Sequence, residues 1–473
     1  MSIVNEYNNI HLIGIGGINV SAAAKLLLYE KKNVSGTDLV KSNLTDELEN
    51  LGARVSIGHE AGSLGQDVDL VIYSEAAPKS NPERVEALKR GIKQISSFQF
   101  WGEYAKNKKV IAVSGTNGKS TTTALIGHIL CEAGFDPTVV VGTKVSGWGR
   151  SKAGQTSSDN IRIGKSEYLV IEADEYHAHM MELNPYAAVI TNIAPDHLDF
   201  YKDVDDIRSR FQEWISRIPQ DGLLVLGYEE YKKNKLNIKN IPAKLYGVVQ
   251  DADVRAAAIS LHPSTNGMPG HSDFNIVDNK EDWGEMEIML PGTHNIKNAV
   301  AAAVVCDFLG VKRKKILKSL MNFKGIWRRF EYVGMYNGAT VVSDYAHHPD
   351  GVKATLKAAR EWYPFNRIVL LFEPHQHNRT KNLFNDFAES FGEADELILS
   401  EIYDVPGREE DADQAVSSKD LVDAIEAREN QNISYAPNLE FAEKMLREKI
   451  QPEDLVLIMG AGNVDRVARN LVK

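Results

Sequence analysis

VSGTNGKST, residues 113–121, lies between a strand-like apolar run, Lys109–Val113, and a segment with helical periodicity. Glycines let successive backbone N–H groups turn towards one anion, and the start of a helix adds the positive end of its dipole. Lys119 can reach the terminal phosphates, while Ser120 or Thr121 can offer a hydroxyl to Mg²⁺. The stretch therefore predicts a nucleotide-phosphate loop made by Gly115, Thr116, Asn117, Gly118, Lys119, Ser120 and Thr121.

The rest of the chain alternates short β-rich apolar runs with helical periodicity, which predicts parallel α/β units. A length of 473 residues suggests about three domains. Two segments are candidate junctions: the polar stretch Glu103–Lys109 and the stretch Phe323–Phe330. Residues 266–282 are polar and are expected to be less regular.

Composition excludes several classes of protein. A net charge of −11 argues against a general nucleic-acid binder or a protein of anionic membrane surfaces. No apolar run reaches the roughly 18 residues of a membrane span, and the N-terminus does not have the pattern of a signal peptide. We therefore expect a cytoplasmic protein, with Cys131 and Cys306 as buried thiols rather than a disulfide.

Acidic and histidine side chains follow two further predicted strands. EADE, Glu172–Glu175, comes directly after the strand Tyr168–Ile171, and His197 follows the strand Ala187–Thr191. Because the carboxyl ends of parallel strands meet at one crevice, Glu172 and His197 are predicted to face the same Mg²⁺ as the phosphate loop. Either motif taken alone is also compatible with a solvated strand end.

A second glycine turn stands near the N-terminus. GIGGIN, residues 14–19, follows a strand and precedes a helix, and Asp38 ends the next strand. This is similar to a dinucleotide fingerprint, but Asn19 occupies the position of the third glycine. The surviving prediction is that Gly14, Gly16 and Gly17 approach the diphosphate of a nucleotide. The alternative is a tight turn without a ligand.

The C-terminal third carries polar motifs at predicted strand ends and helix starts. Arg379 can grip a carboxylate or a phosphate through two parallel hydrogen bonds. Each motif also has a plain structural interpretation, such as a loop, a helix cap or a surface ion pair. The motifs are THNIKN at 293–298, Arg328-Arg329, DYAHHP at 344–349, PHQHNRT at 374–380 and GAG at 460–462.

Taken together and in order, these motifs resemble those of the Mur ligase family over nearly the whole chain. The matching stretches are GIGGINVSA, SGTD, VIYSEAAPKSNPE, SGTNGKSTTT, YLVIEADE, PDHLDFY, GTHNIKNA, RRFE, DYAHHP, PHQHNRT and GAG. The resemblance implies three α/β domains. They are a Rossmann-like UDP-sugar domain at residues 1–107, a P-loop ATPase-like domain with a parallel sheet at 108–326, and a Rossmann-like C-terminal domain at 327–473.

GIGG, DYAHHP and PHQHNRT resemble the alanine-adding members of the family, and this resemblance implies ATP-dependent ligation of L-alanine to UDP-N-acetylmuramate through an acyl phosphate, in peptidoglycan precursor synthesis. ATP, Mg²⁺ and two small-molecule substrates would bind, with no nucleic acid or membrane, to a monomer or homodimer. The implied catalytic residues are Lys119, Glu172, His197, His347 and Arg379, and the implied metal ligands are Ser120, Glu172 and His197. Asn295, Arg328 and Asp344 would join the phosphate loop around the nucleotide, and Gly14, Gly16, Gly17, Asp38 and Ser74 would hold the UDP-sugar.

Two positions depart from the pattern of the alanine-adding enzymes. Asn117 stands where they usually carry histidine, and Tyr176-His177 stands where they usually carry Ser-Asp. The acceptor stays open between L-alanine, another small amino acid and the tripeptide of murein recycling. Two other classes are weaker alternatives. An NAD-dependent dehydrogenase leaves the phosphate loop unexplained, and a non-catalytic nucleotide-binding regulator does not need both Glu172 and His197.

Overall fold

The computed structural model describes residues 3–150, 156–194, 200–264, 270–404, 416–428 and 432–473. These residues form three β-sheets whose strands are joined mainly by helices. Most of the strand pairs with a defined direction are parallel, including every pair of the first sheet. The predicted α/β fold with parallel sheets is therefore confirmed.

The first sheet has five parallel strands in the order β3-β2-β1-β4-β5. The chain order reverses between β1 and β4, and a ligand crevice forms at such a point in an open α/β sheet. The strands are β1 Asn9–Ile13, β2 Asn33–Asp38, β3 Arg54–Ile57, β4 Leu70–Tyr73 and β5 Lys93–Ser96. The helices are α1 Ile18–Tyr29, α2 Asn43–Leu51, α3 Pro82–Lys89 and α4 Ser97–Ala105.

Helix α4 corrects the prediction that Glu103–Lys109 is a linker, because residues 103–105 are helical and β6 begins at Lys109. The helix starts with a capping box in which Ser96 and Gln99 bond to each other's backbone. Its apolar side chains Phe100 and Trp101 are buried in the core. Because charged residues lie near the end of the helix, the sequence pattern did not reveal its buried face.

The second sheet has ten strands in the order β15-β14-β13-β12-β11-β10-β6-β9-β7-β8. Its strands are β6 Lys109–Ser114, β7 Thr138–Arg150, β8 Thr156–Arg162, β9 Tyr168–Glu172, β10 Ala187–Ile190, β11 Leu223–Gly227, β12 Ala243–Gly247, β13 Val254–His262, β14 His271–Asp278 and β15 Glu281–Ile288. Its helices are α5 Lys119–Glu132, α6 Val204–Ile215, α7 Tyr228–Asn234, α8 Thr293–Phe308 and α9 Arg313–Met321. Strand β6 lies between β9 and β10, so the predicted phosphate loop leaves the sheet beside the ends of both neighbours.

Strands β14 and β15 correct the prediction of a less regular region at residues 266–282 from residue 271 onwards. Residues 266–269 of this prediction lie outside the described residues. In β14, the buried residues Ser272, Phe274 and Ile276 alternate with less buried ones. This period of two is that of a half-buried strand. Because polar residues occupy every second position, the sequence pattern predicted a less regular segment here.

The third sheet has six strands in the order β16-β17-β21-β18-β19-β20. Strands β16 and β17 form an antiparallel hairpin, and the other pairs are parallel. The strands are β16 Glu331–Tyr336, β17 Ala339–Asp344, β18 Ile368–Phe372, β19 Glu396–Ser400, β20 Asn432–Ala436 and β21 Leu455–Met459. The helices are α10 Pro349–Trp362, α11 His377–Asn382, α12 Phe384–Ala388, α13 Ser418–Glu426, α14 Leu439–Lys449 and α15 Asp465–Leu471.

The chain separates into two compact units. One contains Met1–Ala257, Asn275–Met286 and Lys297–Phe323, and the other contains Ala258–Phe274, Glu287–Ile296 and Lys324–Lys473. The first sheet and most of the second belong to the first unit, and the third sheet belongs to the second. The domain boundaries near residues 107 and 326 stay predictions.

The two cysteines differ in burial. Cys306 is buried as expected, but Cys131 is only half-buried, which corrects that part of the prediction, and both are free thiols. Burial raises the pKa of Cys131 to about 11, so the group is a neutral thiol at neutral pH. Among the described residues, no helix is both long enough and apolar enough to span a bilayer.

Two phenylalanines of the second unit test how much its core contributes to stability. Phe387 is fully buried in α12 against Phe372, whereas Phe365 is 94% exposed. We expect Phe387→Ala to lower the free energy of unfolding by about 3–5 kcal/mol through lost burial and the cavity left behind. The matched change Phe365→Ala should stay within about 0.5 kcal/mol. Chemical denaturation followed by circular dichroism measures both, and equal effects would contradict the described packing.

Candidate active site

The phosphate loop has the backbone geometry that its glycines require. Gly115 has a φ of +126° and Gly118 a φ of +87°, which are conformations that residues with a side chain rarely adopt. Gly118 immediately precedes α5 and caps its N-terminus. The loop thus turns directly from β6 into the start of a helix, where free N–H groups can meet an anion.

Lys119 is held inside this loop. Its ammonium donates hydrogen bonds to the Gly115 carbonyl at 2.7 Å and to both carboxylate oxygens of Glu175 at 2.9 and 3.0 Å. Burial alone would lower the pKa of Lys119, but the neighbouring carboxylates, above all Glu175, raise it above its ordinary value. The loop therefore contains a permanently charged cation at the position predicted for phosphate binding.

Glu175 is the residue that the sequence did not single out. It is 3% exposed, and its backbone carbonyl accepts a hydrogen bond from the Tyr201 hydroxyl. The sequence signal was its place in EADE, which was interpreted only as a source of metal ligands. The structure instead makes Glu175 the counter-ion of Lys119.

Glu172 ends β9, next to β6, and one of its oxygens accepts a hydrogen bond from the Gly142 N–H at 2.5 Å. Ser120 and Thr121 lie in the first turn of α5 and are buried. A carboxylate and hydroxyls are the hard oxygen donors that Mg²⁺ prefers, so these residues fit that ion. The other predicted metal ligand, His197, lies outside the described residues.

Residues following β10 support the phosphate loop from one side. The Asn192 side chain accepts a hydrogen bond from the Asn117 N–H at 2.8 Å, and the Thr191 hydroxyl donates to the Asn117 carbonyl at 2.6 Å. The Thr116 hydroxyl accepts from the Ala194 N–H at 3.1 Å. Residue 117 is thus held through its backbone.

Helix α8 carries the asparagines of the THNIKN motif. Asn298 packs against the loop so closely that a Cβ on Gly118 would lie 2.7 Å from its side-chain oxygen. This contact adds a second reason for glycine at position 118. Asn295 is buried and donates to the Pro291 carbonyl at 2.8 Å, which fixes the start of its own helix.

The N-terminal glycine turn lies at the reversal point of the first sheet. A Cβ on Gly14 would lie 2.8 Å from the Ser74 Cβ, and the Gly16 N–H donates to the Asp38 carboxylate at 2.8 Å. Gly17 caps the N-terminus of α1. The structure therefore brings together all five residues predicted to hold the UDP-sugar.

Asn19, which replaces the third glycine of the dinucleotide pattern, has a structural partner. Its side-chain oxygen accepts a hydrogen bond from the Trp101 indole at 2.5 Å. This bond ties α1 to α4 and places a polar side chain where a dinucleotide site needs close helix packing.

The segment after EADE contains one of the departures from the family pattern. His177 and Ala178 both have positive φ, at +49° and +55°. The His179 ring stacks on Phe98 with centroids 3.7 Å apart and lies 3.8 Å from the Glu75 carboxylate. The His179 ring thus packs this segment against Phe98 of α4 and places it close to Glu75, which follows β4.

In the second unit, Asp344 organises the end of β17. Its carboxylate accepts hydrogen bonds from the Phe330 N–H at 2.7 Å and the Ala346 N–H at 2.8 Å. Arg328 is buried, donates to the Gly460 and Ala461 carbonyls, and lies over the Tyr345 ring. The RRFE, DYAHHP and GAG motifs thus form one cluster.

His347 and Arg379 belong to a neighbouring group. His347 lies near His375, with ring centroids 5.8 Å apart, and Arg379 is 3.2 Å from the His375 ring nitrogen. Burial, reinforced by the charge of Arg379, holds the pKa of His347 well below its ordinary value, so the ring is neutral. Glu373, which sequence reasoning passed over, precedes this group, and burial raises its pKa to about 7.

Comparisons with known proteins cover the chain from end to end. Residues 9–109 match the profile "Mur ligase family, catalytic domain", residues 113–306 match "Mur ligase middle domain", and residues 328–462 match "Mur ligase, glutamate ligase domain". A UDP-N-acetylmuramate–L-alanine ligase of Clostridium tetani is 40% identical over 458 residues, which are 96% of each chain.

Solved structures agree with these matches. The UDP-N-acetylmuramate–alanine ligase of Thermotoga maritima superposes with a TM-score of 0.81 at 26% identity, covering 98% of both chains. A murein peptide ligase of Psychrobacter arcticus has the same fold, with a TM-score of 0.72 at 24% identity and 98% coverage of both chains. By its sequence motifs, its phosphate-loop geometry and these relatives, the chain belongs to the Mur ligase family of ATP-dependent ligases.

Proposed function

We propose that this protein ligates L-alanine to UDP-N-acetylmuramate at the expense of ATP, in the cytoplasmic synthesis of peptidoglycan precursors. The observation that carries the proposal is the largely covered, charged Lys119 at a helix start, beside a strand that ends in Glu172. The full-length relative of Clostridium tetani supports the choice of substrates.

The reaction runs in two steps. A muramate carboxylate oxygen attacks the γ-phosphorus of ATP, the bond to ADP breaks, and an acyl phosphate forms. The amine of alanine then attacks the acyl carbon, the amide bond forms, and inorganic phosphate leaves. Such chemistry needs mainly positioning and neutralisation of charge, which Lys119 supplies to the transferred phosphate.

Mg²⁺, when bound, neutralises negative charge on the phosphates. Ser120 and Glu172 would hold it, and His197 with Glu172 would hold a second ion. In the second unit, Asn295, Arg328 and Asp344 are assigned to the nucleotide and Arg379 to the substrates. The glycine turn, Asp38 and Ser74 are assigned to the UDP-sugar, because a helix start with free N–H groups accepts a diphosphate.

The second candidate is the ligation of a recycled tripeptide to the same UDP-sugar. The fold of the Psychrobacter arcticus murein peptide ligase is compatible with it. Tyr176 and His177 stand where the alanine-adding enzymes usually carry Ser-Asp. This difference is the reason to test the tripeptide as an acceptor. Both candidates share the acyl-phosphate chemistry and differ only in the acceptor.

The first prediction concerns Lys119→Ala. The variant loses the cation that stabilises the transferred phosphate, so we expect turnover to fall by roughly 10²–10³ or more. Phosphate release with saturating UDP-N-acetylmuramate and L-alanine measures it. Lys106→Ala is the matched control, because the Lys106 side chain is 63% exposed. Similar phosphate release by both variants would contradict the assignment of the ATP site.

The second concerns the metal. Glu172→Gln keeps an oxygen but loses the charge, so we expect weak activity that excess Mg²⁺ partly restores, while Glu172→Ala abolishes it. Glu167→Gln, at a side chain 56% exposed, should behave as wild type. The measurement is the Mg²⁺ concentration that gives half-maximal rate. An unchanged Mg²⁺ dependence in Glu172→Gln would leave this residue without a metal-binding role.

The third concerns the substrates. UDP-N-acetylmuramate should raise the melting temperature, since any ligand selective for the folded state stabilises it. NAD should not, because Asn19 is hydrogen-bonded to Trp101 where a dinucleotide site needs a glycine.

The same prediction extends to the acceptor. Phosphate release with a panel of amino acids and the recycling tripeptide should be fastest with L-alanine. Faster turnover with the tripeptide would select the second candidate and leave the acyl-phosphate mechanism standing. A melting temperature raised by NAD and not by UDP-N-acetylmuramate would argue against both candidates.

A further inference from the structure

The junction of β13 and β14 carries a group of side chains that the ligase chemistry does not use. Among the residues that the structure describes, one set of three histidine, cysteine or acidic side chains is close enough to share a metal ion. It consists of His262, the last residue of β13, with His271 and Asp273 of β14. Their ligand atoms all lie within 4.8 Å of one another.

The three side chains lie close together on two neighbouring strands. His271 and Asp273 are two residues apart on one strand and therefore share a face. The His262 ring stacks on the His271 ring, with centroids 4.4 Å apart and planes 10° from parallel. Two imidazoles and a carboxylate thus meet at one end of two adjacent strands.

One nitrogen of His262 already faces the carboxylate of Asp273. The His262 side chain is 45% exposed, but its Nε2 atom is covered and lies 2.9 Å from an Asp273 oxygen without the alignment of a hydrogen bond. A nitrogen and a carboxylate oxygen that are close but not aligned for hydrogen bonding can instead be two ligands of one cation.

Trp362, which is 5% exposed, contacts the chain at two places between the histidines. These are Ser264, two residues after His262, and Gly270, one residue before His271. The Ser264 N–H donates to the Trp362 carbonyl at 2.8 Å. A Cβ on Gly270 would lie 2.8 Å from the Trp362 ring. The backbone that carries the ligands is therefore held in place before any ion arrives, which lowers the cost of binding.

We propose that His262, His271 and Asp273 form a site for a divalent transition metal of the zinc type, separate from the Mg²⁺ of the reaction. Imidazole nitrogens suit Zn²⁺ and its neighbours, whereas Mg²⁺ prefers oxygen ligands. Three protein ligands leave a fourth position for water. Zinc–ligand distances are about 2.0–2.2 Å, so the two histidine rings leave their parallel stack when they close around the ion, which then links β13 to β14.

Zinc titration of the full-length protein without a histidine tag tests the proposal. We expect the wild type to bind one equivalent of Zn²⁺ more than His262→Ala or His271→Ala, measured by competition with a chromophoric chelator. The loss of affinity should exceed the roughly 10–100-fold that even an outer-shell change causes. His128→Gln, which removes a histidine elsewhere, should keep the full stoichiometry.

The melting temperature supplies a second readout that does not depend on counting ions. Zn²⁺ should raise it for the wild type and His128→Gln but less for His262→Gln and His271→Gln, which keep a polar side chain of similar size. Variants that are folded without Zn²⁺ and still bind the same number of equivalents as the wild type would overturn the proposal. Equal Zn²⁺-induced shifts in all of these proteins would do so as well.

Discussion

The phosphate loop depends on one ion pair that is largely removed from water. The Lys119 side chain is 18% exposed, and the Glu175 side chain that pairs with it is 4% exposed. Removing one partner of such a pair is destabilising, because it leaves an uncompensated charge. The partners of Lys119, the Gly115 carbonyl and the Glu175 carboxylate, come from the loop itself and from the segment after β9. The pair therefore holds together the two strand ends from which the proposed chemistry is built.

This pairing also explains how the loop can be stable before a nucleotide binds. Glu175 supplies the negative charge that a phosphate would supply later, and Tyr201 fixes the Glu175 backbone. A bound phosphate therefore enters a site whose cation is already placed. Such preorganisation is what stabilising a phosphoryl transfer requires, because no rearrangement is then needed at the moment of reaction.

The sequence predicted the parts of the structure that depend on local conformational demands. The sequence pattern identified the glycines of the phosphate loop, and the structure gives the reason for them. Gly115 and Gly118 have positive φ, which residues with a side chain rarely adopt. The same reasoning found the turn at Gly14. Partners that meet only through the fold were missed, since nothing local links Lys119 to Glu175 or Asn298 to Gly118.

Segments of mixed polarity were also hard to predict. Helix α4 ends in charged residues but is held by buried aromatic side chains, and β14 alternates buried and polar positions. In both segments, burial of one face in the tertiary structure determines the secondary structure, although many of the residues are polar. Nothing in the described residues bears on His197, so its role depends on the motif alone.

The two departures from the family pattern affect different parts of the site. Asn117 is held by its backbone N–H and carbonyl, so the side chain at this position can change without disturbing the loop. At the other departure, the His177 ring stacks on Phe200 with centroids 4.6 Å apart, and the next residue, Ala178, donates its N–H to the Glu175 carbonyl at 3.0 Å. The phosphate loop can therefore tolerate the change at Asn117, whereas the change at His177 lies next to the backbone of the Lys119 counter-ion, and the acceptor is the property that must be measured directly.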